Sequence, residues 1–365
     1  MAYNSKGIDW WLLVPILTLC LISLIVLYSF TIYNQDNFIF FYHQIVWIII
    51  GLIVLFLVSL IDFRSIASDY QLIMILYGLE ILLLISTLIF GREIGGNQAW
   101  LSFGSFSIQP VEFAKIILIL FLSRYFADNS LNIRQNKYVL RSFSIVLPFL
   151  LLVGLQRDYG SALLLLGIWF LMFILAGAKI TQILSIILIF LIIFSVSWFF
   201  LLDQIHKDRI ISVIFPDFDP FGVSYNQNQA LIAISSGGLL GKGFSQSTQT
   251  QLGFLPAAHT DFIFSAIAEE FGFMGVLTII VCFAIIFQRL FKLSLNSDNN
   301  FVKLFSMGYL IIIFLQVFIN IGMNLSLLPV IGISLPFVSY GGSNLLALFL
   351  GLGIIFNIIK NTQNA

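Results

Sequence analysis

Ten long apolar runs, separated mostly by short polar connections, dominate the chain. They lie near 10–33, 39–61, 71–90, 110–126, 139–155, 160–178, 180–202, 262–288, 303–323 and 341–359. A helix needs roughly 20 apolar residues to cross about 30 Å of hydrocarbon. The runs 110–126 and 139–155 are short, and 160–178 and 180–202 are divided only by a tight turn near Gly177 and Lys179. Backbone polar groups at that depth must be paired internally, so each run is expected to be a helix. The first run follows a short head carrying Lys6 and lacks a small-residue cleavage pattern, so it reads as a retained span and not a removed signal. The pattern predicts an all-α polytopic membrane protein, with residues 1–365 forming a single transmembrane domain.

Composition agrees with the pattern. The 365 residues are 60% hydrophobic and only 9% charged, with a mean hydropathy of +1.04. Average soluble domains carry about 25% charge. Net charge is zero, so no basic field points to nucleic acid. Cys20 and Cys282 fall inside apolar runs and do not read as a disulfide framework.

The few charges set an orientation. With the N-terminus inside, the inner connections hold Lys6, Arg64, Arg124, Arg134, Lys137, Arg141, Lys179, Arg289, Lys292, Lys303 and Lys360. The outer side holds Arg92, Arg157, Lys207, Arg209 and Lys242, and Lys115 is intramembrane. Excess Lys and Arg mark the cytoplasmic side, so both termini are expected there. The longest connection, 203–261 between spans 7 and 8, then lies outside. It holds His206, Lys207 and Arg209, the acids Asp217 and Asp219, and the glycine cluster "SSGGLLGKGF". Loops beyond about 15 residues are usually functional or disordered. This one lacks a disordered composition and is expected to fold back on the bundle.

Polar motifs gather at outer helix ends. In "SIQPVEFAK", Pro110 suits a first helical position. Glu112 and Lys115 stand three apart on one face, as a structural ion pair or as part of a site. "GLQRDYGSAL" places Arg157 and Asp158 between two spans, which on residue type alone is a solvated turn. In "PFVSYGGSN", Gly341 and Gly342 permit helix packing or close backbone approach. Asp261 begins span 8, where a helix cap is the ordinary reading. His259 and Asp261 are a weak metal-ligand spacing. Of Glu269 and Glu270, at least one must face protein or water, and Glu80 sits in mid-span as a functional or a hydrogen-bonded carboxyl. Together these positions predict an outward-opening polar cleft. Cations in it suit an anionic head group, and a rim carboxylate suits proton removal from a hydroxyl.

At these residues the chain resembles the SEDS family (shape, elongation, division and sporulation), its elongation branch more than its division branch. The matching stretches are "QPVEFAK", the run from "DPFGVSYNQNQ" through "HTDFIFSAIAEEFGFMG", and "NIGMNLSLLPVIGISLPFVSYGGSN". The resemblance implies an inverting glycosyltransferase that polymerises lipid II on the outer face of the bacterial cytoplasmic membrane. It matches Asp261 to the catalytic acid and Glu112 and Lys115 to a charged pair. Arg209, Gln229 and Lys242 correspond to loop positions, and Ser339, Gly341 and Gly342 to the entry of span 10. His259 and Asp158 join these as substrate-binding candidates. The resemblance allows for a divalent cation (Mg or Mn) and implies a class B penicillin-binding transpeptidase as partner. This chain departs from the pattern at Arg157, where Pro is usual, at Ala99 before Trp100, where Arg is usual, and at Val111, where Ser is usual. Arg92 or Arg157 is a candidate to replace the missing basic contact. A lipid II flippase, favoured only by Glu80, and a non-catalytic scaffold are the competing readings.

Overall fold

The computed structural model describes residues 9–33, 38–61, 69–94, 96–104, 106–200, 202–215 and 218–363. Lys6, Arg64 and Asp217 lie outside the described residues. Each predicted run is a helix. They are α1 (Trp10–Tyr33), α2 (Phe38–Leu60), α3 (Tyr70–Phe90), α4 (Val111–Asp128), α5 (Asn136–Leu155), α6 (Tyr159–Leu175) and α7 (Ile180–Phe200). Beyond the long connection come α11 (Ile263–Leu295), α12 (Asn300–Asn324) and α13 (Gly342–Gln363). Eight of the ten are long and apolar enough to cross a membrane. The other two are α6, a shorter apolar helix, and α4, which carries Glu112, Lys115, Arg124 and Asp128 within 18 residues. The protein is a multi-pass membrane protein.

The helices close a bundle in which the first pieces of chain pack on the last. A Cβ on Gly51 of α2 would sit 2.2 Å from the ring of Phe349 in α13. Asp9 ties the start of α1 to Arg289 near the end of α11. Cys20 and Cys282 are free, buried thiols.

Between α3 and α4 the chain forms a small antiparallel sheet of β1 (Arg92–Ile94), β2 (Asn97–Phe103) and β3 (Phe106–Ile108), ordered β1-β2-β3. The pattern of apolar runs did not reveal it. Its outer strands have three residues each, too short for period-2 alternation to register.

The connection 203–261 folds back as α8 (Gln204–Ile214), α9 (Tyr225–Gly237) and the single turn α10 (Thr248–Gln251). It interlocks with α11, which breaks at Gly272 (φ 63°, ψ −158°). A broken helix at membrane depth is tolerated when other groups satisfy the freed backbone. Here the glycine cluster does so. Phe273 N–H donates to Gly238 O at 2.9 Å, while Lys242 N–H and Gly243 N–H donate to Glu269 O and Glu270 O at 2.9 and 3.1 Å. The approach is so close that a Cβ on Gly237 would lie 1.9 Å from Ala268 O, and one on Gly241 2.2 Å from Glu270 O.

The two glutamates finish this junction. Glu269 is fully buried. It accepts from Lys242 Nζ at 2.7 Å and from Thr248 N–H and Gln249 N–H at 2.9 Å each. Glu270 accepts from Ser245 N–H at 2.7 Å and from Ser29 Oγ of α1 at 2.9 Å. Both carboxylates therefore face protein.

Gly241→Ala tests the crossing, because it adds a Cβ both at φ +80° and against backbone. We expect a loss of roughly 1–3 kcal/mol, seen as a lower thermal midpoint of the detergent-solubilised protein. Gly78→Ala in α3, where a Cβ meets nothing within 4 Å, should leave that midpoint unchanged or raise it.

Candidate functional site

Asp261 sits at the turn that feeds α11, and its own backbone is what holds it there. Asn320 and Asn324, one turn apart on α12, each donate an amide hydrogen bond of 3.0 Å to Asp261 O. Asn324 also accepts from Ser265 N–H at 3.2 Å, which satisfies an otherwise orphan donor of the first α11 turn. Asn320 reaches Ile333 O at 2.7 Å, so one face of α12 joins the Asp261 turn to the strand of chain before α13. Ser339 Oγ adds a second tie by donating to Thr260 O at 2.7 Å.

The Asp261 carboxylate opens onto a cavity of about 110 Å³ lined also by Glu112, Lys115, Gln109, Trp100, Ser161, Gln316, Tyr340, Gly341 and Asn344. Lys115 and Glu112 are buried and paired at 2.6 Å. Burial raises the Asp261 carboxyl from its usual range to about 6, with the nearby Arg209 guanidinium and a Thr260 side-chain hydrogen bond opposing that rise. Arg209, half-buried in α8, donates to Val330 O at 3.3 Å. A half-buried acid raised to about 6, with the Arg209 guanidinium nearby, is equipped to remove a proton from a hydroxyl.

The other predicted positions divide. Asp158 caps α6 through Ser161 N–H at 3.1 Å and accepts from Gln109 Nε2 at 2.8 Å, so it supports the cavity wall from behind. Gly341 lines the cavity and a Cβ there meets nothing within 4 Å, whereas a Cβ on Gly342 would lie 2.1 Å from the Trp47 ring. Gly341 thus leaves room at the site, and Gly342 serves helix packing. His259 stacks on Phe40 at 4.3 Å, and burial lowers its imidazole pKa, which favours the neutral ring. Its ring does not line the cavity.

Lys242 and Gln229 stand apart from the cavity. Neither lines the cavity. Lys242 is bound to Glu269 and to Thr248 Oγ1, at 2.7 and 2.6 Å, because the glycine crossing turns it toward α11. Gln229 lies half-buried on α9 outside the cavity lining. Arg157, at φ 61°, lines a separate polar pocket with Glu93 and Gln98. Ala99, the position of the missing arginine, is buried. Val111 is also buried, so a larger apolar residue is accommodated there.

Among the described residues no three His, Cys, Asp or Glu side chains are grouped to hold a metal ion. Of the two cavity carboxylates, Glu112 is committed to Lys115. Ca and Mg sites draw on several oxygen ligands, so the residues present do not fit a cation held by the protein alone.

Sequence reasoning missed Asn320 and Asn324. The available signal was two amides four residues apart inside an apolar span, a spacing that puts both on one face. It also missed Gln316, which donates to Asn344 Oδ1 at 3.1 Å at the cavity wall.

Known proteins share this architecture. The model of the FtsW/RodA/SpoVE family, described as cell cycle proteins, matches residues 8–364. Peptidoglycan glycosyltransferase MrdB of Escherichia coli is 36% identical over 74% of this chain and 72% of its own length. Stage V sporulation protein E of Bacillus subtilis is 33% identical over 100% of both. A probable peptidoglycan glycosyltransferase FtsW of Thiomicrospira cyclica is 37% identical over 76% of this chain and 71% of its own. Among solved structures, a chain from work on how a peptidoglycan synthase complex coordinates polymerization and crosslinking aligns with a TM-score of 0.83. It is 29% identical and covers 98% of this chain and 99% of its own. The rod shape determining protein RodA of Thermus thermophilus aligns at 0.71, 30% identical, over 97% of each. Matched along nearly its whole length by the family model and by a full-length relative, this chain belongs to the FtsW/RodA/SpoVE family of cell cycle proteins.

Proposed function

We propose that this chain is an inverting peptidoglycan glycosyltransferase. It polymerises lipid II on the outer face of the bacterial cytoplasmic membrane during cell elongation, with both termini in the cytoplasm. The observation that carries this reading is the Asp261 carboxylate, raised to about 6 and facing a cavity that also holds Lys115. Similarity to peptidoglycan glycosyltransferases supports the substrate class.

In this reading two lipid-linked disaccharides meet at the cavity. The 4-hydroxyl oxygen of the acceptor attacks the anomeric carbon of the donor from the face opposite its diphosphate. The new glycosidic bond forms as the bond to the diphosphate oxygen breaks, so configuration inverts. Asp261 takes the hydroxyl proton, and the polyprenyl diphosphate leaves with the bonding electrons. Arg209 and Lys115 offset the growing charge on the leaving group. Glu112 holds Lys115 in place, and Asn320, Asn324 and Ser339 hold the Asp261 turn. Lys242 and Glu269 fix the loop and take no part in the chemistry. Similarity to a synthase complex that couples polymerization with crosslinking supports a penicillin-binding transpeptidase as partner.

Transport is the competing reading, and it rests on Glu80, which is buried in α3 with Oε1 lacking a hydrogen-bond partner among the described residues. Polymer made from lipid II in detergent, where there are no two leaflets to connect, separates synthesis from transport and from scaffolding.

Purified Asp261→Asn protein should keep its fold and lose about 10²–10⁴-fold in polymerisation rate, measured as glycan formed from lipid II. Near-wild-type activity would overturn the assignment. The working form of a base is ionised, so the wild-type rate should rise with pH through about 6 and then level. Arg209→Gln removes a charge that holds the Asp261 carboxyl down. The midpoint of that pH profile should therefore move upward, along with a lower plateau rate.

A further inference from the structure

A second cavity, largely apolar with a few polar groups in its wall, lies at the far end of α11 from Asp261. It encloses about 180 Å³ and is lined by Trp11, Ile285, Gln288, Arg289 and Lys292. Its polar lining is rich in donors: a guanidinium, an ammonium, an amide and an indole N–H. The nearby acid is turned away. Asp9 is only 4% exposed and is occupied by Arg289 Nε and, at 3.1 Å, by Trp11 N–H. That ion pair cancels one of the two cations. The Lys292 ammonium, exposed on the next turn, has no ion-pair or hydrogen-bond partner among the described residues and is the cation the lining leaves uncompensated among them.

We infer that this cavity binds the phosphate of an anionic phospholipid headgroup. The donor set selects an anion, and the surroundings select a lipid. The cavity opens where two apolar spanning helices end, and Trp11, 71% exposed, stands at its rim. Trp side chains favour membrane–water interfaces, and basic pockets between spanning helices take anionic headgroups. A free phosphate gains only the charge contact. A phospholipid gains that contact and also covers the apolar surface of Trp11 and Ile285. The site lies apart from the sugar chemistry and does not depend on it. Its role is to fix the α1–α11 end of the bundle at the membrane surface.

Native mass spectrometry of the full-length protein with phosphatidylglycerol, and with phosphatidylcholine as the uncharged comparison, tests the site. Wild type should retain one phosphatidylglycerol in preference to phosphatidylcholine. Lys292→Gln should weaken that binding about fivefold, the effect of one basic side chain near an anionic surface. Lys292→Glu should abolish it. Lys137→Gln, an exposed charge outside the cavity, should change nothing. Trp11→Leu, which leaves Asp9 and Arg289 paired, gives an independent loss if either Lys292 variant fails to fold. No preference for phosphatidylglycerol, or full retention in both the Lys292 and Trp11 variants, would overturn the proposal. Displacement of the lipid by millimolar inorganic phosphate would assign the cavity to a free anion and overturn it too.

Discussion

A spanning helix cannot leave its backbone unpaired, and α11 breaks at Gly272. The rest of the polar end of the molecule follows from how that break is repaired. The glycine cluster after α9 supplies the missing partners, and only glycine fits where two backbones cross within contact distance. Glu269 and Glu270 then gather the N–H groups of the following turn. The loop so fixed runs into the Asp261 turn, which α12 grips by its carbonyl. The Asp261 carboxylate is thus set on a rigid frame whose stability comes from elsewhere, and it opens onto the cavity.

The distribution of charge follows the same economy. Four acids of this end have distinct tasks set by their neighbours. Glu269 is saturated by donors and locks the loop. Glu112 holds Lys115 in place. Asp158 caps a helix and steadies Gln109. Asp261 alone combines burial with an open face.

Much of this was legible in the sequence because length and hydropathy are local properties. All ten apolar runs are helices, with ends displaced by a few residues except for α11, which runs on to Leu295. Glu112 and Lys115 pair as their spacing dictates. The alignment of polar motifs at one end was legible too, since helices alternate direction. What stayed hidden depended on partners distant in the chain. Lys242 has the same side chain whether it meets a diphosphate or Glu269, and only the fold decides. The Asn320 and Asn324 amides look like stray polar residues until the Asp261 carbonyl is placed beside them. The glycine cluster reads as a flexible turn in one dimension, yet it is a tightly filled crossing in three.

The contact between Ser29 of α1 and Glu270 spans 241 positions in the chain, and α2 is packed against α13. Membrane proteins enter the bilayer from the N-terminus onward, so the earliest helices wait through most of synthesis for the neighbours that complete them. Until translation reaches Gln251, the hydroxyl of Ser29 has only its own helix to bond. The order of insertion and the order of assembly are therefore different, and the finished bundle is sealed by the last third of the polypeptide.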